Sequence, residues 1–187
     1  MKYIKMMGLA VVAAMALAST ASATVLEGSG GNLPKGTLVE MTGTNAVIKA
    51  GFSTVECSHS ELDWKTSNAG GAGETVEGNI NGLKYSGCNM TVTVFKTGKI
   101  IVHHTSGSNG SVTSEGAEMT VNNHSISCTY GTPNATPIGT ISGGGPALLE
   151  GEALLARVAG GFLCAQTGQW SNRHIATTPV PLYVTAS

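Results

Sequence analysis

The chain has 187 residues, a formal net charge of −1 from 10 Lys and Arg against 11 Asp and Glu, and a mean hydropathy of +0.13. That length suits one domain able to bury a real core. Charged residues make up only 11% and form no basic stripe, so a nucleic-acid partner, which such stripes bind by releasing counterions from phosphates, is excluded.

Residues 1–23 have the build of a signal peptide. "MKYIK" supplies Lys2 and Lys5, "MMGLAVVAAMALA" is uncharged and apolar, and "STASA" places small residues at Ala21 and Ala23. Cleavage is expected before Thr24, leaving residues 24–187 as a secreted β domain with a formal charge of about −3. The apolar run of about 13 residues falls short of the ~20 that span a bilayer, and no cysteine nearby could carry a lipid. The mature chain is therefore expected to have no transmembrane anchor and to be secreted, periplasmic or held at the cell surface.

Beyond the leader the chain alternates short β-branched runs with turn compositions. In order, the runs include "TLVEM", "NAVIKA", "FSTVEC", "MTVTVF", "KIIVHH", "EMTV", "SISCTY" and "PLYV". Between some of them lie "TSNAGGAGE", "SGSNGS", "YGTPNATP" and "SGGGP". This texture predicts an all-β fold, a single antiparallel β-sandwich or barrel-like domain. An outer-membrane barrel does not fit, because the aromatic girdles and lipid-facing band of such a barrel are missing.

Cys57, Cys88, Cys128 and Cys164 all lie in the exported part. An even count at wide spacing predicts two disulfides in an oxidising compartment. Three pairings are possible. Cys57 with Cys88 and Cys128 with Cys164 is favoured because sequence neighbours tend to be spatial neighbours. No CxxC spacing supports a zinc site.

Within "CSHSELDW", Glu61 and Asp63 would share one face of a strand. Trp64 beside them could form a sugar platform, with the carboxylates as acid and base. The plainer expectation is a solvated polar face next to a buried or half-buried tryptophan. "MTVTVF" puts Val92 and Val94 on one face and Thr91, Thr93 and Phe95 on the other. Residues Phe95 to Lys99 are expected to form a hairpin into "KIIVHH", with Gly98 at positive φ.

His103 and His104 would point to opposite faces of a strand, so they could not both ligate one metal without a bulge. A weak metal alternative joins His59 with His124, each close to a cysteine. The expectation is no metal and no cofactor, with "KIIVHHTSGSNGSV" a strand end running into a loop.

"PALLEGEALLARVAGG", Pro146 to Gly161, has helix-forming residues with a proline start and a glycine stop, yet neither the helical nor the strand period gives a clean apolar face.

"FSTVECSHSEL", "NAGGAGETVEGNINGLKYSGCNMTVTV", "ISCTYGTP", "IGTISGGGPALL", "GGFLC", Trp170 and "TPVPLYV" together resemble an uncharacterised family of small secreted bacterial proteins with four similarly placed cysteines. The likeness runs from Thr37 to the C-terminus. It implies a strand for Ala147 to Val158 and implies no catalytic residues. This chain departs from the group at Ala165, where proline often stands, and at His174, where tyrosine often stands.

No GxSxG elbow is present. Two function classes remain. One is an exported non-enzymatic structural, adhesive or binding protein of the bacterial surface or medium, with a cell-surface protein or a glycan as partner. The other is a small secreted hydrolase or carbohydrate-active protein using Glu61, Asp63 or histidines.

Overall fold

A computed structural model describes residues 23–51, 53–123 and 126–187. Residues 1–22 of the expected leader and His124 lie outside them. Every regular element described is a strand: β1 (Thr24–Gly28), β2 (Gly31–Asn32), β3 (Leu38–Ala50), β4 (Ser53–Thr66), β5 (Gly70–Gly71), β6 (Val76–Cys88), β7 (Thr91–Lys96), β8 (Lys99–Ser106), β9 (Asn109–Glu115), β10 (Glu118–Asn123), β11 (Ile126–Gly131), β12 (Thr136–Ser142), β13 (Leu148–Ala159), β14 (Thr167–Thr178) and β15 (Tyr183–Thr185).

Eight strands form a closed antiparallel ring in the order β12-β9-β8-β6-β4-β3-β14-β13. The ring closes where Gly139 to Ser142 of β12 pair with Leu148 to Gly151 of β13. Closure covers most of the edges of these strands, the part of β6 beyond Ile80 being paired on one side only. β13 is long enough to serve two partners on that side. Its first residues pair with β12, while Ala156 to Ala159 pair with β11, from which β10 and then β7 continue as a branch. A smaller sheet, β15-β1-β2 with β5 beside β1, adds Leu26 and Val184 to the common core, and Leu182, just before β15, joins them through a bridge to Gly144.

Alternation of side chains fixes which face is buried. In β13 Leu149, Gly151, Ala153 and Leu155 point inward and Glu150, Glu152 and Leu154 outward, so the ambiguous segment is a strand. Its helix propensity yields to tertiary pairing on both sides. In β3 the buried set changes parity. Val39, Met41 and Gly43 are followed by Ala46, Ile48 and Ala50, and between them Asn45 takes φ 57. Across the ladder β4 makes the same change, from Val55 and Cys57 to Ser60, Leu62 and Trp64. Both strands stay in register through this kink, so each keeps an apolar inner row.

Two bare backbones make room for the large aromatics. A Cβ at Gly78 would stand 2.3 Å from the Trp64 ring, and one at Gly151 would stand 2.5 Å from the Trp170 ring. The outer row of the ring includes Glu40, Lys49, Glu61, Asp63, Lys65, Glu150, Glu152 and Arg173, none of them buried. Such an outer face is the inverse of a lipid-facing band. Among the described residues no helix is long and apolar enough to cross a membrane.

The hairpin expected between "MTVTVF" and "KIIVHH" does not form. β7 pairs with β10, and β8 pairs with β6 and β9. Gly98 does take positive φ, at 69°, but as a crossing between the branch and the ring, packed so closely on Glu115 and Ala117 that a Cβ would stand 2.4 Å from the Glu115 carbonyl oxygen. Both edges of β8 are occupied by β6 and β9, which bury Ile100 and Val102 inside the ring. A local hairpin would forfeit one of those ladders. The alternation itself is as expected. Val92 and Val94 are half-buried, and Thr91, Thr93 and Phe95 are exposed.

The disulfides are Cys57–Cys88 and Cys128–Cys164. Cys57 and Cys88 lie directly opposite each other on β4 and β6, whereas Cys128 ties β11 to the loop after β13. Mass spectrometry of the native chain should find it four hydrogens lighter than the reduced form and inert to a thiol reagent until reduced. Reactive thiols before reduction would contradict both bonds.

Candidate functional site

The side chains singled out from sequence divide between the two sides of β4. Trp64 points into the core and is 1% exposed. Glu61 and Asp63 face outward, where Glu61 Oε2 lies 3.3 Å from Lys84 Nζ and Glu61 Oε1 lies 4.0 Å from His59 Nε2. Burial, then the neighbouring Glu40 and Glu61 carboxylates, raises the Asp63 pKa, with Lys84 opposing. Trp64 and Asp63 therefore share no surface. His59 stands in this exposed row. Among the described residues no group of three or more His, Cys, Asp or Glu side chains converges as a metal site would require.

His103 and His104 lie within β8, paired with Ser111 and Gly110 of β9, so the stretch expected to run from a strand end into a loop is instead a hairpin that turns at Gly107 and Ser108, because Asn109 to Val112 continue the ladder as β9. The His104 ring lies 3.1 Å from the Gly107 carbonyl oxygen through Nε2, and its backbone N–H donates to Thr24 Oγ1 at 3.0 Å.

A polar cluster that sequence reasoning missed lies inside the ring. Ser60 comes from β4, Asn172 and His174 from β14, and all three are buried. Asn172 Nδ2 donates to Ser60 Oγ at 2.7 Å, and Ser60 Oγ lies 3.2 Å from His174 Nε2. Asn172 Oδ1 accepts the Arg173 backbone N–H at 2.7 Å. For the Ser60 hydroxyl to donate onward, Nε2 must be the acceptor, which puts the ring proton on Nδ1. His174 Nδ1 is buried and has no partner, as is Trp64 Nε1. Burial pushes the His174 pKa down to about 4, so the ring is neutral at ordinary pH.

Nothing polar intrudes from β3 opposite, because Gly43 fills that position. A Cβ there would stand 2.6 Å from Ser60 Oγ. One sequence signal pointed to the cluster: at period two Trp170, Asn172 and His174 fall on one face of "QWSNRHIA", an apolar row interrupted by two polar side chains.

Next to the cluster is a small apolar cavity of about 50 Å³, walled by Leu62, Tyr85, Met119, Leu155, Trp170 and His174 among others. Trp170 Nε1 donates to the Tyr85 hydroxyl at 2.9 Å, and burial pushes the Tyr85 phenol upward despite that bond. The cavity is about a third of the ~150 Å³ that admits benzene to an engineered apolar void. A roomier concavity of about 520 Å³ lies on the outer face of β3, β14 and β13, lined by Lys49, Gln169, Ser171, Glu152 and Leu154. Neither concavity contains Glu61, Asp63 or His59.

Chemically, Ser60 and His174 form a hydroxyl–imidazole contact without the carboxylate that would orient the ring through Nδ1. A lowered imidazole pKa also weakens the ring as a base. The fold and site define a disulfide-bonded, all-β antiparallel protein in which the buried Ser60–His174 contact and the outward Glu61 and Asp63 lie on opposite sides of β4. No protein-family model, curated protein or solved structure matches the chain.

Proposed function

We propose that the protein is an exported, non-enzymatic structural, adhesive or binding module of the bacterial cell surface or medium. The observation that carries this reading is the separation of the reactive groups. The outward carboxylates face solvent, Trp64 faces the core, and neither concavity joins them. Two disulfides support export, since such bonds persist in oxidising compartments. The polar outer groove over β3, β14 and β13 is of the size that ligand sites have, and its amide, hydroxyl and charged side chains suit a glycan or a protein surface.

Fractionation of producing cells with an antibody should find the chain in periplasm, surface or medium. Recovery of the whole chain with its leader in the cytoplasm would overturn the export reading.

The second reading, a small secreted hydrolase, draws support from the 3.2 Å Ser60–His174 contact. A fluorophosphonate, which labels activated serines, separates the two. The proposal expects no label on Ser60, because the hydroxyl is 1% exposed and its histidine lacks a carboxylate. Labelling lost in Ser60→Ala would replace the proposal with the hydrolase.

A further inference from the structure

Sheet edges are where a β protein is open to pairing, and this fold deals with nearly all of its edges. The ring has closed on itself, and the outer strands of the small sheet, β2, β5 and β15, span only 2, 2 and 3 residues. Beyond Ile80, β6 is paired on one side only, but Gly82 and Gly87 interrupt that stretch, the latter at φ 61. β7 is different. It ends the branch, pairs only with β10 among the described residues, and runs six residues, "TVTVFK", with no glycine or proline.

The edge guards are few: a β-bulge places Phe95 as an extra residue between Val94 and Lys96 opposite β10, so the regular part of the edge is Thr91 to Val94, with Phe95 at its end. The one charge on β7, Lys96, is neutralised by Glu118 at 2.6 Å. Phe95 is 65% exposed, and Val92 and Val94 are half-buried beside the core.

We infer that the open edge of β7 pairs antiparallel with β7 of a second copy of this chain, joining the two branch sheets across a two-fold axis. The strand is self-complementary in one register. An axis normal to the sheet must place residues of the same face opposite each other, because each strand maps onto the other without turning over. With Thr93 facing its own counterpart, Val92 faces Val94 of the second copy on the inner side, and Thr91 faces Phe95 on the outer side. Thr–Thr, aliphatic and aromatic–β-branched pairs are those that stabilise antiparallel ladders. No like charges meet, since Lys96 falls beyond the paired core and keeps Glu118. One strand pair is a small contact, so the dimer belongs to the concentration-dependent class.

Sedimentation velocity across a dilution series should show monomer and dimer in exchange, and hydrogen exchange at β7 amides should slow as concentration rises. Thr93→Lys places two ammonium groups at the axis and should weaken the dimer about tenfold or more. Thr93→Glu should do the same, and an equimolar mixture of the two variants should recover the dimer. Thr93 is exposed in the monomer, so both variants should keep the wild-type circular dichroism spectrum. A wild type that stays monomeric up to millimolar concentration would overturn the inference. So would a dimer indifferent to both Thr93 charges, or one lost only in Phe162→Ser, which would put the contact at another exposed apolar position, where Phe162 is 93% exposed.

Discussion

Trp64→Ala is expected to destabilise the fold by about 3–5 kcal/mol, while Asp63→Ala one residue earlier should stay within about 0.5 kcal/mol. The contrast follows from the alternation of β4. Trp64 is 1% exposed, and its ring occupies the space left by the missing Cβ of Gly78, so truncation leaves a cavity that the rigid ladder on either side cannot fill by collapse. Trp64→Phe should cost much less than Ala. The indole Nε1 has no partner, so the smaller ring gives up packing but also removes a buried orphan donor. Urea unfolding at unchanged slope measures all three. A mild effect of Trp64→Ala, or an equal effect of Asp63→Ala, would mean that the Trp64 indole does not belong to the buried row of β4. Gly78→Ala tests the same contact from the other side and should also be destabilising.

Acid should weaken the native state through His174. Its pKa is about 4 in the folded protein against an ordinary value of 6.5, so between those limits the unfolded chain binds a proton that the native state refuses. The stability is fully present above pH 6.5 and is lost as pH falls toward 4, at up to ~1.4 kcal/mol per pH unit and about 3 kcal/mol in all. His174→Phe keeps a flat ring in the site but cannot titrate. The difference between wild type and variant over that window isolates the histidine from the carboxylates.

That subtraction is needed because Asp63 acts in the opposite sense. Its raised folded pKa favours the native state at low pH, and this contribution is lost as pH rises through the folded value. Identical pH profiles for wild type and His174→Phe would show that the imidazole is not buried as described. In His174→Phe the Ser60 hydroxyl loses its acceptor, so the variant should be less stable than wild type at pH 7.

The buried cluster explains why a close sequence reading stopped short of it. Ser60 and His174 are 114 residues apart, and nothing in "CSHSE" or "NRHIA" indicates that β4 and β14 lie on either side of β3 with their inner rows converging. His59 and His124 are the more conspicuous histidines in the sequence because each stands close to a cysteine. The histidine that matters to the core has only a period-two relation to Trp170 and Asn172. Likewise Trp64 could be paired on paper with Asp63 as a platform. Adjacent residues on a strand face opposite ways, and only the burial of one face says which way the ring goes.

By itself the sequence determined that this chain is built from strands, that Val92 and Val94 share the more buried face of theirs, and that four cysteines would close two bonds. These are properties of period two, turn composition and cysteine count, all carried locally. The tertiary structure alone decided which strands are neighbours. It sent β7 to β10 instead of β8, closed the ring through β12 and β13, placed the parity change at Asn45, and made Leu148–Ala159, within the ambiguous Pro146 to Gly161, a strand paired with β14 on one side and with β12 and β11 on the other. The reason is physical. Alternation specifies the face a strand buries but not the edge it offers, and edges are assigned by which long-range arrangement lets every inner row be covered at once.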